Sequence, residues 1–208
     1  MPEKSSNPVH ERPLNRTAAK KQAKREAILH AAMEEFSEHG FGNTNLATIA
    51  DRASMAKGTL YLYFESKEAL FAAVVRHIVA EPVAFEAQTG ADAFETFRLL
   101  LTGMVEQLQS SGRSRIATVA LTEGNQFPHL MDIYIEAVLD PILARIAAMT
   151  DAMPSPRLDV IRRFPQLIMA PVLVGLIWNR FMTNRSAIDL AEILNAQFDL
   201  VAGQGCGD

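Results

Sequence analysis

The chain has 208 residues, 49% of them hydrophobic and 21% charged, which excludes a disordered chain and allows a sizeable core. Its single cysteine, Cys206, excludes an internal disulfide and a cysteine-rich zinc site. The net charge of -4 is unevenly divided, because residues 1–70 hold ten basic and nine acidic residues whereas residues 71–208 hold ten and fifteen. This asymmetry fits a nucleic-acid-binding segment joined to an acidic body.

The first 16 residues are polar, charged and contain three prolines, so they predict a flexible basic arm. Such a start predicts no signal peptide. The chain has no uninterrupted apolar run of about 18 residues, and we therefore expect no membrane span. Together with the lone cysteine, these features favour a cytoplasmic protein. The basic residues near the start are Lys4, Arg12, Arg16, Lys20, Lys21, Lys24 and Arg25.

Residues 17–65 predict a helix-turn-helix domain of three helices. Apolar residues at helical spacing predict a first helix over about residues 17–39, and Gly40 is expected to end it in the left-handed conformation. Asn43 or Thr44 is the expected cap of the second helix. Ser54 and Met55 are expected to form the turn before the third helix, which begins near Ala56.

The remainder of the chain, residues 66–203, predicts a second helical domain. Residues 66–81 form a linking helix that Ser66 caps and that ends near Pro82. Breakers divide the rest of this domain into helices over about residues 91–109, 113–123, 128–149, 157–182 and 186–201. Pro141, Pro165 and Pro171 are expected to kink or split the helices that contain them. No segment alternates with the period of a strand, so the predicted fold is all-α.

The third helix has the chemistry of a DNA-reading element. In a helix-turn-helix the second helix of the pair enters the major groove. Lys57 can reach a phosphate or a guanine edge, and Tyr63 can contact a base or a phosphate. Gly58 lets the backbone approach the DNA closely. Hydroxyl or ammonium groups at phosphate height are expected from Thr44, Thr59, Tyr61 and Lys67.

The segments FGNT, LATIADRAS, AKGTLYLYF and SKEALF, within residues 23–79, together resemble the DNA-binding domain of the tetracycline-repressor (TetR) family. This resemblance implies phosphate contacts by Thr44, Thr59, Tyr61 and Lys67, and groove contacts by Lys57, Gly58 and Tyr63. It also implies a bacterial regulator, usually a repressor, that binds a near-palindromic double-stranded operator as a homodimer. Residues 120–142 are similar to the effector domains of AefR-like and AcrR-like members.

The second helical domain is larger than DNA binding alone requires. The same resemblance implies that it holds a small apolar or aromatic effector. Aromatic and methionine side chains suit an adaptable apolar cavity, although most of them are expected in the core. The candidate lining residues are Phe97, Met104, Phe127, Met131, Tyr134 and Trp178, and Phe85 and Phe94 belong to the same group. The polar side chains that can orient a ligand are Arg98, Glu123, Asn125, His129, Asn179 and Arg180.

The resemblance further implies dimerisation through the last two long helices, over about residues 163–182 and 186–201. The apolar candidates for that interface are Val172, Leu173, Leu176, Ile188, Leu190, Ile193, Leu194 and Phe198. An effector is expected to push the linking helix and move the two DNA-reading helices apart, which requires that it bind the DNA-free state more tightly.

Two other classes of protein compete with this interpretation. An enzyme is disfavoured, because none of the five histidines has a glutamate three residues before it and no Gly-x-Ser-x-Gly or phosphate-binding loop occurs. We accordingly expect no catalytic residue, metal or cofactor. A DNA-binding protein without a ligand would share the first domain, and its binding would fall steeply with salt. Activation and repression are not separable by sequence.

Overall fold

A computed structural model describes residues 13–80, 92–153 and 155–203, and every element in that part of the chain is helical, which confirms the all-α prediction. The predicted arm up to residue 12, Pro82, Phe85, Pro154 and Cys206 lie outside the described residues. The elements are α1 (Pro13–Asn43), α2 (Leu46–Arg52), α3 (Lys57–Tyr61), α4 (Lys67–Ala80), α5 (Ala93–Ser110), α6 (Arg113–Glu123), α7 (Pro128–Tyr134), a π-helical turn (Ile135–Leu139), α8 (Asp140–Ala152), a 3₁₀ turn (Pro156–Leu158), α9 (Asp159–Arg163), α10 (Gln166–Phe181) and α11 (Leu190–Val201).

The first four helices follow the sequence prediction with two differences. Helix α1 begins at Pro13, so residues 13–16 are helical and not part of a flexible arm. Gly40 interrupts α1 with a φ of 78°, as expected. The cap of α2 is Asn45, whose side chain accepts hydrogen bonds from the backbone N–H groups of Ala47 and Thr48, and not Asn43 or Thr44. The capping hydroxyl of Ser66, at 3.0 Å from the N atom of Ala69, is confirmed.

Prolines reshape the body helices. The long helix expected over residues 128–149 is divided into α7 and α8 by the π-helical turn that immediately precedes Pro141. A π-helical turn adds one residue to the helical repeat, and the ring of a proline would otherwise clash with the carbonyl one turn earlier. Pro165 separates α9 from α10, at a bend of 70° between Pro156–Arg163 and Gln166–Phe181. Pro171 stays inside α10.

Two hydrophobic clusters hold the described helices together. The first joins α1–α4 to α6, α7 and α10, with fully buried Phe36, Phe41 and Phe71 at its centre. The second contains none of the described residues of α1–α4 and packs Phe97 and Phe198, among others, between α5, α8, α9, α10 and α11. The first four helices therefore share one continuous core with part of the body.

No single helix of the described residues is long and apolar enough to cross a membrane. The bent pair Pro156–Arg163 and Gln166–Phe181 meets the requirement by length and composition only.

Candidate nucleic-acid interface and effector cavity

Helix α3 is held to the core by one side and is open to solvent on the other. Leu60, within α3, and Phe64, just after it, are buried and anchor this segment. The opposite side exposes Lys57, and Tyr61 and Leu62 are 48% and 82% exposed. An exposed aromatic side chain and an exposed leucine beside a lysine are the features that a partner molecule would cover. Thr59 and Tyr63 are half-buried at the edges of this surface.

No neighbouring atom would obstruct a side chain at position 58, where the sequence has glycine. A Cβ atom built on Gly58 meets nothing within 4 Å, and its backbone does not lie in the positive-φ region. Glycine weakens a helix relative to alanine, so neither the packing nor the backbone of the isolated chain explains this residue. Close approach by a molecule outside the chain is an explanation that remains, and it agrees with the predicted groove contact.

Two predicted phosphate-contact residues are instead turned inward, towards residues 40–44, which we call the α1–α2 turn. Thr44 is only 3% exposed, and its hydroxyl donates a hydrogen bond to the carbonyl of Gly40 at 2.7 Å. The ammonium of Lys67 donates to the carbonyls of Phe41 and Thr44, at 2.7 and 2.8 Å. These groups are occupied within the protein and hold the α1–α2 turn, and their contacts with phosphate stay a prediction.

The environment of Lys67 is only partly aqueous. Its Nζ atom lies 4.3 Å from the ring centroid of Phe41, so the charge faces an aromatic ring as well as two carbonyls. Burial lowers the pKa of Lys67 below its ordinary value, and the carboxylates of Glu68 and Glu123 oppose that shift. The side-chain amino group of Lys67 supplies the donors that the turn carbonyls need.

The α1–α2 turn is also held from the body by Glu123, the last residue of α6. One carboxylate oxygen accepts a hydrogen bond from the N–H of Phe41 at 3.0 Å, and the other from the N–H of Gly42 at 2.7 Å. The ring of Phe127 packs edge-on against Phe41, with centroids 5.1 Å apart. The positive φ of Gly40 favours glycine, and a Cβ atom there would lie 2.1 Å from a Glu123 oxygen and displace this carboxylate from the turn. The sequence predicts a ligand-orienting role for Glu123 instead, because it does not reveal a contact across 82 positions.

A cluster of charges on the outer side joins α1 to α2. The Arg52 guanidinium binds Glu35 through Nε at 3.0 Å and Glu38 through Nη2 at 2.5 Å, and it also reaches Glu34. The hydrogen bond from Arg52 lowers the pKa of Glu38 below its ordinary value. The sequence analysis did not predict these ion pairs. Glu34, Glu35 and Glu38 lie within about one turn of α1, and this acidic cluster was the signal that could have indicated a basic partner such as Arg52.

A cavity of about 280 Å³ lies between the two hydrophobic clusters of the body. Its wall includes residues of the first cluster, such as Ile78 and Tyr134, and of the second, such as Leu101 and Ile146. The volume lies just below the range of about 300–1,000 Å³ that is typical of small-molecule sites. Helices α4 and α6 both contribute to the wall, as do α5, α7, α8, α10, α11 and the π-helical turn.

Of the predicted effector-binding residues, Met104 and Tyr134 line this cavity and the other four do not. Phe97 is fully buried against Phe198. Phe127 packs on the α1–α2 turn, and Met131 lies against Gly124. The indole N–H of Trp178 donates to the carbonyl of Ser186 at 3.1 Å. Aromatic residues at helical spacing therefore served mainly as core.

The polar side chains expected to orient a ligand are used elsewhere or lie outside the cavity wall. Arg98 pairs with Asp199 at 2.7 Å and binds Asn195, which joins α5 to α11. Asn179 both donates to and accepts from the backbone of Ile188, ahead of α11. His129 packs beside Phe41 and Phe127. Asn125 and Arg180 are exposed. None of these residues, nor Glu123, lines the cavity, whose cationic side chains are Arg113 and Arg145.

The outer side of α9 and α10 carries an apolar stripe. Its members are Phe164, Leu167, Val174, Ile177 and Phe181, which are 38–61% exposed in the chain. Most of the residues predicted for the dimer interface are instead inside the protomer, because Val172, Leu176, Leu190, Leu194 and Phe198 are buried there. Val172 and Leu176 of α10 therefore face the core of the chain, and dimerisation through the last two long helices stays a prediction.

Comparison with known proteins gives a family match for the first domain. The model for bacterial regulatory proteins of the tetR family matches residues 28–74. The transcriptional regulator RutR of Escherichia coli K12 is 51% identical over 57 residues, and this match covers 27% of each chain. The chain thus spans about a quarter of the length of that relative.

Similarity over the whole chain is lower. The transcriptional repressor KstR of Rhodococcus jostii is 28% identical over 198 residues, which are 92% of this chain and 88% of the relative. The crystal structure of the transcriptional regulator FadR from Bacillus subtilis, in complex with stearoyl-CoA, superimposes with a TM-score of 0.62 at 20% identity. That superposition covers 85% of this chain and 96% of FadR, and at this identity it establishes the fold alone.

Proposed function

Because the chain belongs to the TetR family of bacterial regulatory proteins, we propose that it is a DNA-binding transcriptional regulator, in the cytoplasm, whose activity a small, largely apolar effector controls. The observation that carries the proposal is the open side of α3. There Lys57 and Tyr61 are exposed beside Gly58, which has free space around it. The DNA-binding part of the proposal rests on this surface, and the effector part rests on the cavity.

Each outward residue of α3 and its C-terminal edge has a role in this proposal. Lys57 and Tyr63 contact base edges, and Gly58 admits the DNA backbone. Thr59 and Tyr61 contact phosphates and set the register of α3 in the groove. Thr44 and Lys67 support this surface from below, through the hydrogen bonds of the α1–α2 turn.

We propose that the functional unit is a homodimer that forms through the apolar stripe of α9 and α10. A stripe of five large apolar side chains on one protomer is costly to leave in water, and a two-fold axis lets the same stripe cover itself. A two-fold dimer reads two half-sites, which predicts a near-palindromic operator with half-sites about 34–36 Å apart or a multiple of that distance.

The cavity and the α1–α2 turn are connected by two helices. Helix α4 lines the cavity with Val75 and Ile78 near its end and holds the turn with Lys67 at its start. Helix α6 lines the cavity with Ile116 and holds the turn with Glu123 at its end. A ligand that shifts either helix therefore changes the hydrogen bonds on which the position of α2 and α3 depends.

This connection supports control by an effector that binds the DNA-free state more tightly. Thermodynamic linkage then requires the effector and the operator to weaken each other's binding by the same factor. A repressor releases its operator when the effector binds, and we propose that this protein is a repressor of that kind. An activator, and a DNA-binding protein that has no effector, are the alternatives.

The experiment that tests DNA-specific regulation is capture of fragmented genomic DNA by the purified protein at physiological salt, followed by sequencing. We expect enrichment of a few near-palindromic sites close to promoters. The double variant Lys57→Ala/Tyr63→Phe removes the ammonium and the phenol hydroxyl that would contact bases and keeps the ring of residue 63 packed against the core, so it should lose that enrichment. Diffuse binding that is equal for both proteins and disappears with salt would contradict the proposal.

The dimer is tested separately by the molar mass in solution. Ile177→Glu with Phe181→Glu places two charges in the stripe, and we expect a monomer that no longer binds the captured site tightly. Arg185→Glu changes an exposed residue next to the same helix end and is the control. If the wild-type protein is monomeric at micromolar concentration, the proposed interface is wrong.

A further inference from the structure

The cavity wall includes two cationic side chains within an otherwise apolar lining. Two guanidinium groups, those of Arg113 and Arg145, contribute to a wall that is otherwise almost entirely apolar. Among the described residues that line the cavity, none is acidic. A site for a purely apolar molecule has no need of Arg145 in its wall, because this exposed side chain loses hydration when an apolar ligand covers it.

Arg145 belongs to the cavity side of α8 by its spacing. Pro141, Ile142 and Ile146 also line the cavity, and with Arg145 they recur three to four residues apart along one stripe of α8. Arg145 has no ion pair with any of the described residues. Its aliphatic stem can cover the apolar wall, and its guanidinium can reach an anion at the edge of the cavity.

Arg113 approaches the cavity from a different helix. It occupies the first position of α6, one turn before Ile116, which also lines the cavity. Tyr134 is a third polar side chain of the wall, and burial raises its pKa to about 12. The phenol is therefore neutral at physiological pH and can donate a hydrogen bond to an anionic ligand.

We propose that the effector is an amphiphilic anion, with an aliphatic or alicyclic body and a single carboxylate or phosphate group that pairs with Arg145 and Arg113. Guanidinium groups bind both kinds of oxyanion through paired hydrogen bonds, and the apolar wall takes the body. This inference rests on the proposed function, because it names the chemical class of the effector in the same cavity.

The test measures binding of three ten-carbon probes to the full-length protein by equilibrium dialysis. Decanoate and decanamide have nearly the same shape and differ in charge, and decyl phosphate presents the other oxyanion. We expect at least one of the two anions to bind the wild-type protein roughly tenfold more tightly than decanamide. The anion that binds more tightly identifies the head group.

Arginine variants test whether the preference arises at this wall. Arg145→Gln changes an exposed side chain, so the fold is expected to persist, and the preference should fall to roughly threefold or less while decanamide binds as before. Arg113→Gln should act in the same direction. Arg185→Gln, an exposed arginine outside the cavity wall, should keep the wild-type preference.

The inference is overturned if decanamide binds as tightly as both anions, if none of the three probes binds, or if Arg145→Gln and Arg113→Gln both retain the full preference. These outcomes are separable from failure of the proposed function. Capture of specific DNA sites by the ligand-free protein tests the regulator itself, and it does not depend on which probe the cavity accepts.

Discussion

The outer side of α3 and the α1–α2 turn belong to one short stretch of sequence, yet they use similar side chains in opposite ways. Lys57 is exposed on α3, whereas Lys67 donates to two backbone carbonyls of the turn. Each of the two regions also contains a glycine. Gly58 on α3 has open space around it, whereas Gly40 in the turn lies against the carboxylate of Glu123. The comparison separates residues that face a partner from residues that hold the surface in position.

The distinction also has an energetic side. Groups of the turn are desolvated and satisfied by hydrogen bonds, so removing one leaves its partners unpaired at a cost of about 1–3 kcal/mol. Exposed groups of α3 contribute little to folding, typically within about 0.5 kcal/mol. Mutations in the two places should therefore move stability and DNA affinity differently.

The largest effect is expected from Gly40→Ala. The new Cβ would lie 2.1 Å from Glu123 and the residue would be held at a φ of 78°, so both the backbone and the carboxylate must move. We predict a loss of about 2–5 kcal/mol in the free energy of unfolding, measured by urea denaturation.

Gly112→Ala is the matched control for that change. Gly112 has a similar φ of 73° and no atom within 4 Å of an added Cβ, so only the backbone strain remains, at about 1–2 kcal/mol. Equal losses in the two variants would show that the contact with Glu123 contributes nothing.

The second comparison applies one substitution to two lysines. Lys67→Met removes the donors to Phe41 and Thr44, and we predict that unfolding becomes easier by about 1–3 kcal/mol. Lys57→Met should leave the stability within about 0.5 kcal/mol and weaken binding to the captured DNA. Urea titrations and DNA-binding titrations of both variants measure these effects. A large loss of stability in Lys57→Met, with weaker DNA binding in Lys67→Met alone, would contradict the assigned roles.

Gly58→Ala should change stability and DNA binding in opposite directions. Alanine favours a helix over glycine by about 0.5–1 kcal/mol, and no neighbour obstructs its methyl group, so we predict a slightly more stable protein. The same methyl group would stand between α3 and the DNA and lower the affinity. Unchanged DNA affinity in a stabilised variant would mean that the DNA does not approach closely at this position.

The smallest effect is expected from pH at the Arg52 cluster. The hydrogen bond from Arg52 lowers the pKa of Glu38 in the folded state below its ordinary value of 4.5, so the folded protein binds fewer protons than the unfolded chain in that range. The stabilisation is therefore present above about pH 4.5 and is lost as the pH falls through the folded-state pKa. As the pH is lowered from about 5 to about 3, the free energy of unfolding of the Arg52→Gln protein should therefore fall less than that of the wild type. Parallel urea titrations measure the difference, and identical pH profiles would contradict it.

The sequence predicted the helix-turn-helix well because its signals are local. Gly40, the α2 stripe, the turn near Ser54 and the buried Leu60 all follow from spacing within a few residues. Even the bounds of α6 followed from Gly112 and Gly124.

The failures share a physical cause, because each depends on a distant part of the chain. Glu123 is a polar residue whose hydrogen-bond partner, the N–H of Phe41, lies 82 positions away, so only folding brings the two together. The cavity lies where two hydrophobic clusters meet, so its wall takes residues from eight elements and leaves Phe97 and Trp178 outside. On α10, apolar residues occur on both the buried and the exposed side, and periodicity alone did not distinguish Leu176 from Ile177.

The central claim is that the body sets the position of α3 through the α1–α2 turn, and Glu123→Gln tests it most directly. A glutamine accepts only one of the two turn N–H bonds and directs its own donors at the other. The measurement is the affinity for the captured DNA site, with Glu106→Gln, an exposed substitution on α5, as the control and circular dichroism to verify the fold. We predict about tenfold weaker binding for Glu123→Gln alone. Wild-type affinity in a folded Glu123→Gln protein would contradict the claim.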